Sequence, residues 1–353
     1  MNMFLLVLGG LVLLFIGGEA LVRGSVSVAR KLNISELVIG LTLVGFGTSV
    51  PELVTSLRAI NQDAVGISVG NVIGSNIANV LLVLGVAALI RPIFTNPRAL
   101  ARDGAFMVGV TILLCVLLWL DMFSRPVGLA MTGLLIAYLV FSILTDMRGT
   151  SEAASMHADE GETVEASYGL FVGLIMTLIG LAGVVIGARL LVDGATDMAR
   201  TFGMSEAVIG LSIVAIGTSM PELATSAVAA FRGKSDVALG NIIGSNIFNI
   251  LGILGITAIV HPFSVMGKAS PDGVPDVPDV SGAAMGIDAG AASLMSWEHI
   301  SALILSVFLL VLFAFTGKRL ARWEGAVMLI GYALYMGLLF DVVPVPELIP
   351  NVG

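Results

Sequence analysis

The chain has 353 residues, 57% of them hydrophobic and only 12% charged, with a mean hydropathy of +1.02 and a formal charge of −8. Soluble domains carry about 25% charged residues, so these values exclude a soluble globular protein and describe a polytopic membrane protein. There is no basic patch for nucleic acid, the single Cys115 excludes an intramolecular disulfide or thiolate cluster, and His157, His261 and His299 are too far apart to suggest a histidine metal centre.

A bilayer core of about 30 Å calls for roughly 20 apolar residues per helix. In chain order this predicts ten spans: 3–22, 35–60, 66–90, 104–120, 125–146, 168–191, 205–231, 237–261, 297–315 and 324–342. The first lacks a positive leading region, since Arg23, Arg30 and Lys31 follow it, and reads as a retained helix rather than a signal peptide. Residues 148–167 carry Glu152, Asp159, Glu160, Glu162 and Glu165, and residues 268–296 are rich in Pro, Asp, Gly and Ala. Both read as solvated, mobile linkers. The expected organisation is a five-helix repeat over 1–147, an acidic cytoplasmic linker over 148–167 and a second repeat over 168–353, which contains a flexible extracytoplasmic loop at 268–296.

The two halves are copies. Ser35–Val86 aligns with Ser205–Ile256 without a gap at an offset of 170, with 27 identities in 52 positions. Five is an odd number of helices, so the second copy enters the bilayer from the opposite side, as an inverted repeat about an axis in the membrane plane. Of the 17 Lys and Arg, 12 lie in loops after odd-numbered helices and five in the others. By the positive-inside rule the first set is cytoplasmic, which places both termini outside.

The densest identity is Gly47-Thr48-Ser49-Val50-Pro51-Glu52 with Gly70-Asn71-Val72-Ile73-Gly74-Ser75-Asn76-Ile77-Ala78-Asn79, repeated as Gly217–Glu222 with Gly240–Asn249. Thr48 and Glu52 lie on one helical face, as do Ser75 and Asn79. Pro51 has no N–H, so the Gly47 carbonyl loses its helical partner. Freed carbonyls at membrane depth are tolerated where they line a cavity. A carboxylate in mid-membrane costs about 2.5–3.5 kcal/mol or more, and the chain carries two at matched positions, which makes Glu52 and Glu222 functional candidates. Brought together, the copies offer two carboxylates ringed by hydroxyl, amide and carbonyl oxygens. That set suits Ca²⁺ or Na⁺-like ions and not Zn²⁺ or Cu. The Gly70/Gly74 and Gly240/Gly244 spacing reads as helix packing. Glu36 and Glu206, beside Ser35 and Ser205, read as capping acids, and Glu19 and Asp121 as interfacial.

The doubled motif resembles the sodium/calcium exchanger family of the cation/Ca²⁺ antiporter superfamily. The resemblance implies an all-α membrane protein of ten transmembrane helices in two inverted five-helix repeats. It also implies four ion sites in a central diamond and alternating access by sliding of helices 1 and 6. By motif position it implies Glu52, Glu222, Asn79 and Asn249 as central ligands. Thr48, Thr218, Ser49, Ser219, Ser75 and Ser245 would add hydroxyl oxygens, and Gly45 and Ala215 main-chain ones. Proton-coupled members typically carry Gly-Asn-x-x-Glu in place of Gly-Thr-Ser-x-Pro-Glu, which favours Na⁺ here. K⁺-dependent members carry an acid at the position of Asn249, which argues against K⁺. The 148–167 linker is too short for the regulatory domain of animal exchangers. The expectation is therefore a non-enzymatic Na⁺/Ca²⁺ antiporter of the cell membrane, exchanging about three Na⁺ per Ca²⁺ with one net charge moved. It would need no cofactor, with Ca²⁺ and Na⁺ as cargo and the lipid bilayer as surroundings, and would work as a monomer. The alternatives are Ca²⁺/H⁺ antiport through the same site, a Ca²⁺-permeable channel and, least of all, an intramembrane hydrolase using Ser49 or Ser219.

Overall fold

A computed structural model describes residues 3–62, 64–94, 97–154, 168–202, 215–265, 297–316 and 319–339. Among these residues the chain forms ten helical segments. They are α1 (Met3–Leu32), α2 (Glu36–Thr48 and Val50–Ile60, bent by 43°), α3 (Val65–Ile90), α4 (Pro97–Leu120) and α5 (Arg125–Ala154). The second set is α6 (Leu170–Thr201), α7 (Ala215–Thr218 and Met220–Phe231), α8 (Ser235–Val260), α9 (Trp297–Thr316) and α10 (Arg322–Leu339). By length and composition six can cross a membrane alone, and bent α2 makes a seventh.

The expected boundaries need correction at four places, one of them α4, which begins at Pro97 and not at 104. Helix α1 continues from 22 to Leu32 and α6 from 191 to Thr201, in both cases past charged residues. Helix α5 runs on to Ala154, into the segment expected to be linker. The rest of that linker, the 268–296 loop, Ser205 and Glu206 lie outside the described residues.

The extra length of α1 and α6 follows from their packing. Gly10, Gly17 and Gly24 recur every seven residues on α1, and Gly173, Gly180 and Gly187 do so on α6. A Cβ on Gly17 would lie 2.7 Å from the Val184 nitrogen, and one on Gly24 2.6 Å from the Thr177 nitrogen. The first glycine of one helix meets the last of the other, so the pair is antiparallel with backbones in contact. This direction reversal is what an inverted repeat requires. The outward faces carry exposed Phe4, Leu8, Phe15, Phe171, Leu178 and Ile179, which suit lipid rather than water.

Helices α2, α3, α7 and α8 form the centre, and the span of α8 is almost wholly enclosed. Here the packing expectation holds for the second copy: Cβ atoms on Gly240 and Gly244 would fall 2.3 and 2.2 Å from the Leu37 and Leu41 carbonyl oxygens of α2. A Cβ on Gly74 would meet no described residue within 4 Å outside its own stretch of helix. Its partner by the repeat, Leu211, is outside the described residues.

The loops separate into two sets. Two short strands, β1 (Ile93–Phe94) and β2 (Arg319–Leu320), pair antiparallel and tie the loop after α3 to the loop after α9. Glu36 after α1 bonds Lys234 after α7 at 3.1 Å. The Ser35 nitrogen donates to Asp146 near the end of α5. On the other side a bridge joins Phe123 to Phe263, and Asp121 accepts from Ser264 Oγ and the Val265 nitrogen at 2.5 and 2.6 Å, joining the loops after α4 and α8. In these contacts odd loops meet odd and even meet even, as alternating membrane crossings demand. Ser35 caps α2, accepting from the Val38 nitrogen, with Glu36 in the first turn as expected.

Candidate cation site

The centre is built around two matched breaks. Ser49 sits between the halves of α2 with φ −87° and ψ 7°, and Ser219 in α7 has φ −87° and ψ 5°. Both lie in the sparsely populated bridge region of backbone space, where binding residues often sit. Pro51 and Pro221 fall in the first turn of the second half-helix, where a missing N–H costs nothing. Glu52 and Glu222 follow directly. Both are fully buried.

Hydroxyls of each repeat reach into the other. Ser49 Oγ donates to Glu222 Oε1 at 2.9 Å, and Ser245 Oγ lies 3.5 Å from the same oxygen. Ser245 Oγ also donates to the Gly45 carbonyl at 3.0 Å. Thr48 Oγ1 lies 3.2 Å from the Gly45 carbonyl and 3.1 Å from Asn241 Oδ1. In the adjacent layer Asn249 Nδ2 donates to Ser75 Oγ and to Asn76 Oδ1, both at 3.1 Å, and Asn79 Nδ2 donates to Asn246 Oδ1 at 3.1 Å. π-helical turns begin at Asn79 in α3 and at Phe248 in α8, which widen the helix where these amides emerge.

Thus Ser49, Ser245, Glu222, Gly45, Thr48, Ser75, Asn79 and Asn249 converge across the two repeats. Ser219 is buried at its break, and Thr218 is half-buried beside it. Ala215 opens α7, with its side chain outside the described set. Five acceptor oxygens here have no hydrogen-bond donor from the described residues: both of Glu52, Oε2 of Glu222, and Oδ1 of Asn79 and Asn249. Buried acceptors without donors are costly and call for a partner of another kind. Two buried carboxylates add net negative charge, and every convergent atom is a hard oxygen, so the partner that fits is a cation such as Ca²⁺ or Na⁺. Among the described residues no group of three or more His, Cys, Asp and Glu could hold a metal ion. The charge thus comes from two acids, and hydroxyls and amides supply the remaining oxygens.

Four asparagines escaped the sequence reading. Asn71 donates to the Glu52 carbonyl at 3.2 Å and to Ser56 Oγ at 2.9 Å, and Asn241 does the same to Glu222 and Ser226 at 3.4 and 2.9 Å. Asn76 and Asn246 bond the amides of the next turn. All four are identical in both copies of the motif, and that signal could have singled them out. A buried Asp103 was also missed. It accepts from Tyr138 Oη at 3.0 Å and from Arg102 Nε at 2.7 Å, one residue before the apolar α4 span expected from residue 104.

Known proteins resemble this chain in sequence and in fold. The pattern of the family described as "Sodium/calcium exchanger protein" matches residues 2–144 and 172–340. The chain is 37% identical over 335 residues to the putative antiporter CaxA of Alkalimonas amylolytica, covering 95% of this chain and 98% of that one. It is 35% identical to the sodium/calcium exchanger MaX1 of Methanosarcina acetivorans, over 96% and 98% of the two chains. A solved structure of the sodium-calcium exchanger NCX_Mj, soaked with 2.5 mM Na⁺ and 0.1 mM Ca²⁺, superimposes with a TM-score of 0.75 and 32% identity over 96% of this chain and 99% of that one. With its inverted all-α architecture and its doubled motif at the centre, the chain belongs to the sodium/calcium exchanger family, whose members are transporters and not enzymes.

Proposed function

We propose that the protein is a secondary antiporter that exchanges Na⁺ for Ca²⁺ across the cell (inner) membrane by alternating access. Membership of the family supports cation/Ca²⁺ antiport by a multi-pass membrane protein. The choice of Na⁺, the stoichiometry and the electrogenicity go further. The observation that carries the reading is the set of buried acceptor oxygens without a donor among the described residues, three from the first repeat on Glu52 and Asn79 and two from the second on Glu222 and Asn249. In this reading Thr48, Thr218, Ser49, Ser219, Ser75, Ser245 and the main chain of Gly45 and Ala215 complete the cage.

Charge counting sets the coupling. One Ca²⁺ neutralises two ionised glutamates, whereas three Na⁺ leave one positive charge. Each cycle then moves one net charge, worth about 2.3 kcal/mol per 100 mV, so a negative interior drives Na⁺ in and Ca²⁺ out. The shared glycine faces of α1 and α6 support sliding of that pair over the core. The chain is read as two repeats, 1–147 and 168–353, with both termini and the 268–296 loop extracytoplasmic and the 148–167 linker cytoplasmic. It works as a monomer and takes no cofactor.

The test is ⁴⁵Ca²⁺ uptake into proteoliposomes under an outward Na⁺ gradient or a pH gradient, with the membrane potential clamped at different values. Na⁺-driven uptake that responds to potential is expected. Uptake driven by the pH gradient alone would replace Na⁺ with H⁺ as the coupling ion. Uptake without any counter-ion would indicate a channel.

A further inference from the structure

Ser75, Asn76 and Asn79 of α3 face Ser245, Asn246 and Asn249 of α8 across the axis of the repeat, and their amides interlock. Asn76 Nδ2 points at the Asn246 carbonyl at 3.4 Å, and Asn246 Nδ2 at the Asn76 carbonyl at 3.5 Å. A backbone carbonyl only accepts, so these two contacts fix which end of each side chain is nitrogen. The Oδ1 atoms of Asn76 and Asn246 are thereby turned to the next turn of the opposite helix. There they meet Asn249 Nδ2 and Asn79 Nδ2, each at 3.1 Å. An amide has one donor end and one acceptor end. Once its NH₂ is engaged, its oxygen faces the other way, and Oδ1 of Asn79 and of Asn249 are among the buried atoms that have no donor from the described residues.

We propose that Asn76 and Asn246 are positioning residues: the crossed amide bonds force Asn79 and Asn249 to present carbonyl oxygen, and not NH₂, to the cation. This rests on the cation-site reading above. Without its acceptor, an amide in this setting is free to turn its NH₂ toward a positive ion, removing one ligand and adding a repulsive dipole. Partners that orient metal ligands in this way are typically worth about 10–100-fold in affinity or activity. The two copies are not equal. Asn249 Nδ2 has a second acceptor, Ser75 Oγ, whose own proton goes to the Val72 carbonyl at 3.2 Å. Among the described residues, Asn79 Nδ2 has Asn246 alone.

The experiment is a double-substitution cycle read by Ca²⁺/Ca²⁺ equilibrium exchange in proteoliposomes, which does not depend on the coupling ion. Asn246→Ala is expected to raise the Ca²⁺ KM at least about tenfold with kcat within about twofold, and Asn76→Ala to raise it less. A carboxylate at position 79 has no NH₂ end to misplace. In an Asn79→Asp background, Asn246→Ala should therefore change KM by less than about twofold. The same cycle with Asn249→Asp and Asn76→Ala is an independent copy of the test. An equal rise in KM in both backgrounds overturns the proposal. So does a loss of folded, monodisperse protein in both backgrounds, because that outcome assigns the amides to helix packing. A wild type that exchanges no Ca²⁺ removes the underlying cation-site reading as well.

Discussion

Glu52 and Glu222 occupy matched positions 170 residues apart, yet their surroundings differ. Ser49 and Ser245 lie 2.9 and 3.5 Å from Oε1 of Glu222, whereas both oxygens of Glu52 lack a donor among the described residues. The mate of Ser49 is Ser219, whose buried Oγ has no partner among the described residues, and the mate of Ser245 is Ser75, whose proton goes to the Val72 carbonyl. The interface of α1 with α6 behaves in the opposite way. Gly10 and Gly180 are also mates, and a Cβ on either would strike backbone, at 2.7 Å from the Leu191 nitrogen and 2.3 Å from the Leu21 nitrogen. At these glycines the scaffold repeats its contacts, whereas the identical serine pairs of the site do not. The difference arises among residues that are identical in the two copies and beside one pair that is not, Gly45 and Ala215.

Four predictions test that contrast. The largest effect belongs to the carboxylates: Glu52→Gln and Glu222→Gln should each reduce Na⁺-driven ⁴⁵Ca²⁺ flux to the level of protein-free vesicles. Retained flux in both would remove the proposed site. Next come the glycines. Gly10→Ala and Gly180→Ala should each cost about 1–3 kcal/mol of stability through forced separation of the helices, seen as a similar fall in Tm. Gly183→Ala, whose Cβ would have its nearest atom at 3.2 Å, should cost less. Unequal losses for Gly10 and Gly180 would break the claim of a symmetric scaffold.

The serines should behave unequally. Ser49→Ala removes a hydrogen bond to a buried carboxylate, worth about 1.5–3 kcal/mol, while Ser219→Ala removes none. Thermal unfolding without added Ca²⁺ compares them, and matching losses would contradict the asymmetry. The smallest effect is at the rim. Arg232 bonds Glu19 of α1 through Nε at 2.7 Å, in a cluster that includes Arg23. Its mate is Gln62, and the mate of Glu19 is Arg189, which makes no ion pair among the described residues. Arg232→Gln makes the two ends alike and should cost less than about 1 kcal/mol, because the pair is partly exposed. The loss should shrink further in high salt.

Much of this was readable in the residues. The 170-residue offset gave the two repeats, their odd helix number gave the inversion, and two mid-membrane glutamates beside prolines located the centre. Hydropathy misplaced the ends of α1 and α6 because it counts transfer to lipid, while Ser25 and Ser27 are buried against protein. Asp103 was missed for a similar reason: its partners Tyr138 and Arg102 sit on another helix and at a neighbouring position, and pairing does not show in a window average. The crossed asparagines were visible as identities. Their role was not, because it depends on which helix faces α3 and on the end of each amide that meets a carbonyl.

The backbone contact between α1 and α6 bears on leakage. An exchanger wastes its gradient whenever both entrances stand open together. Two helices pressed together at Gly10, Gly17 and Gly24 have no side-chain cushion between them that would let one tilt without the other. In the proposed cycle they therefore move as one strut, and travel toward one membrane face is travel away from the other. Mutual exclusion of the two entrances then needs no separate signal between gates, because a single mechanical coordinate governs both.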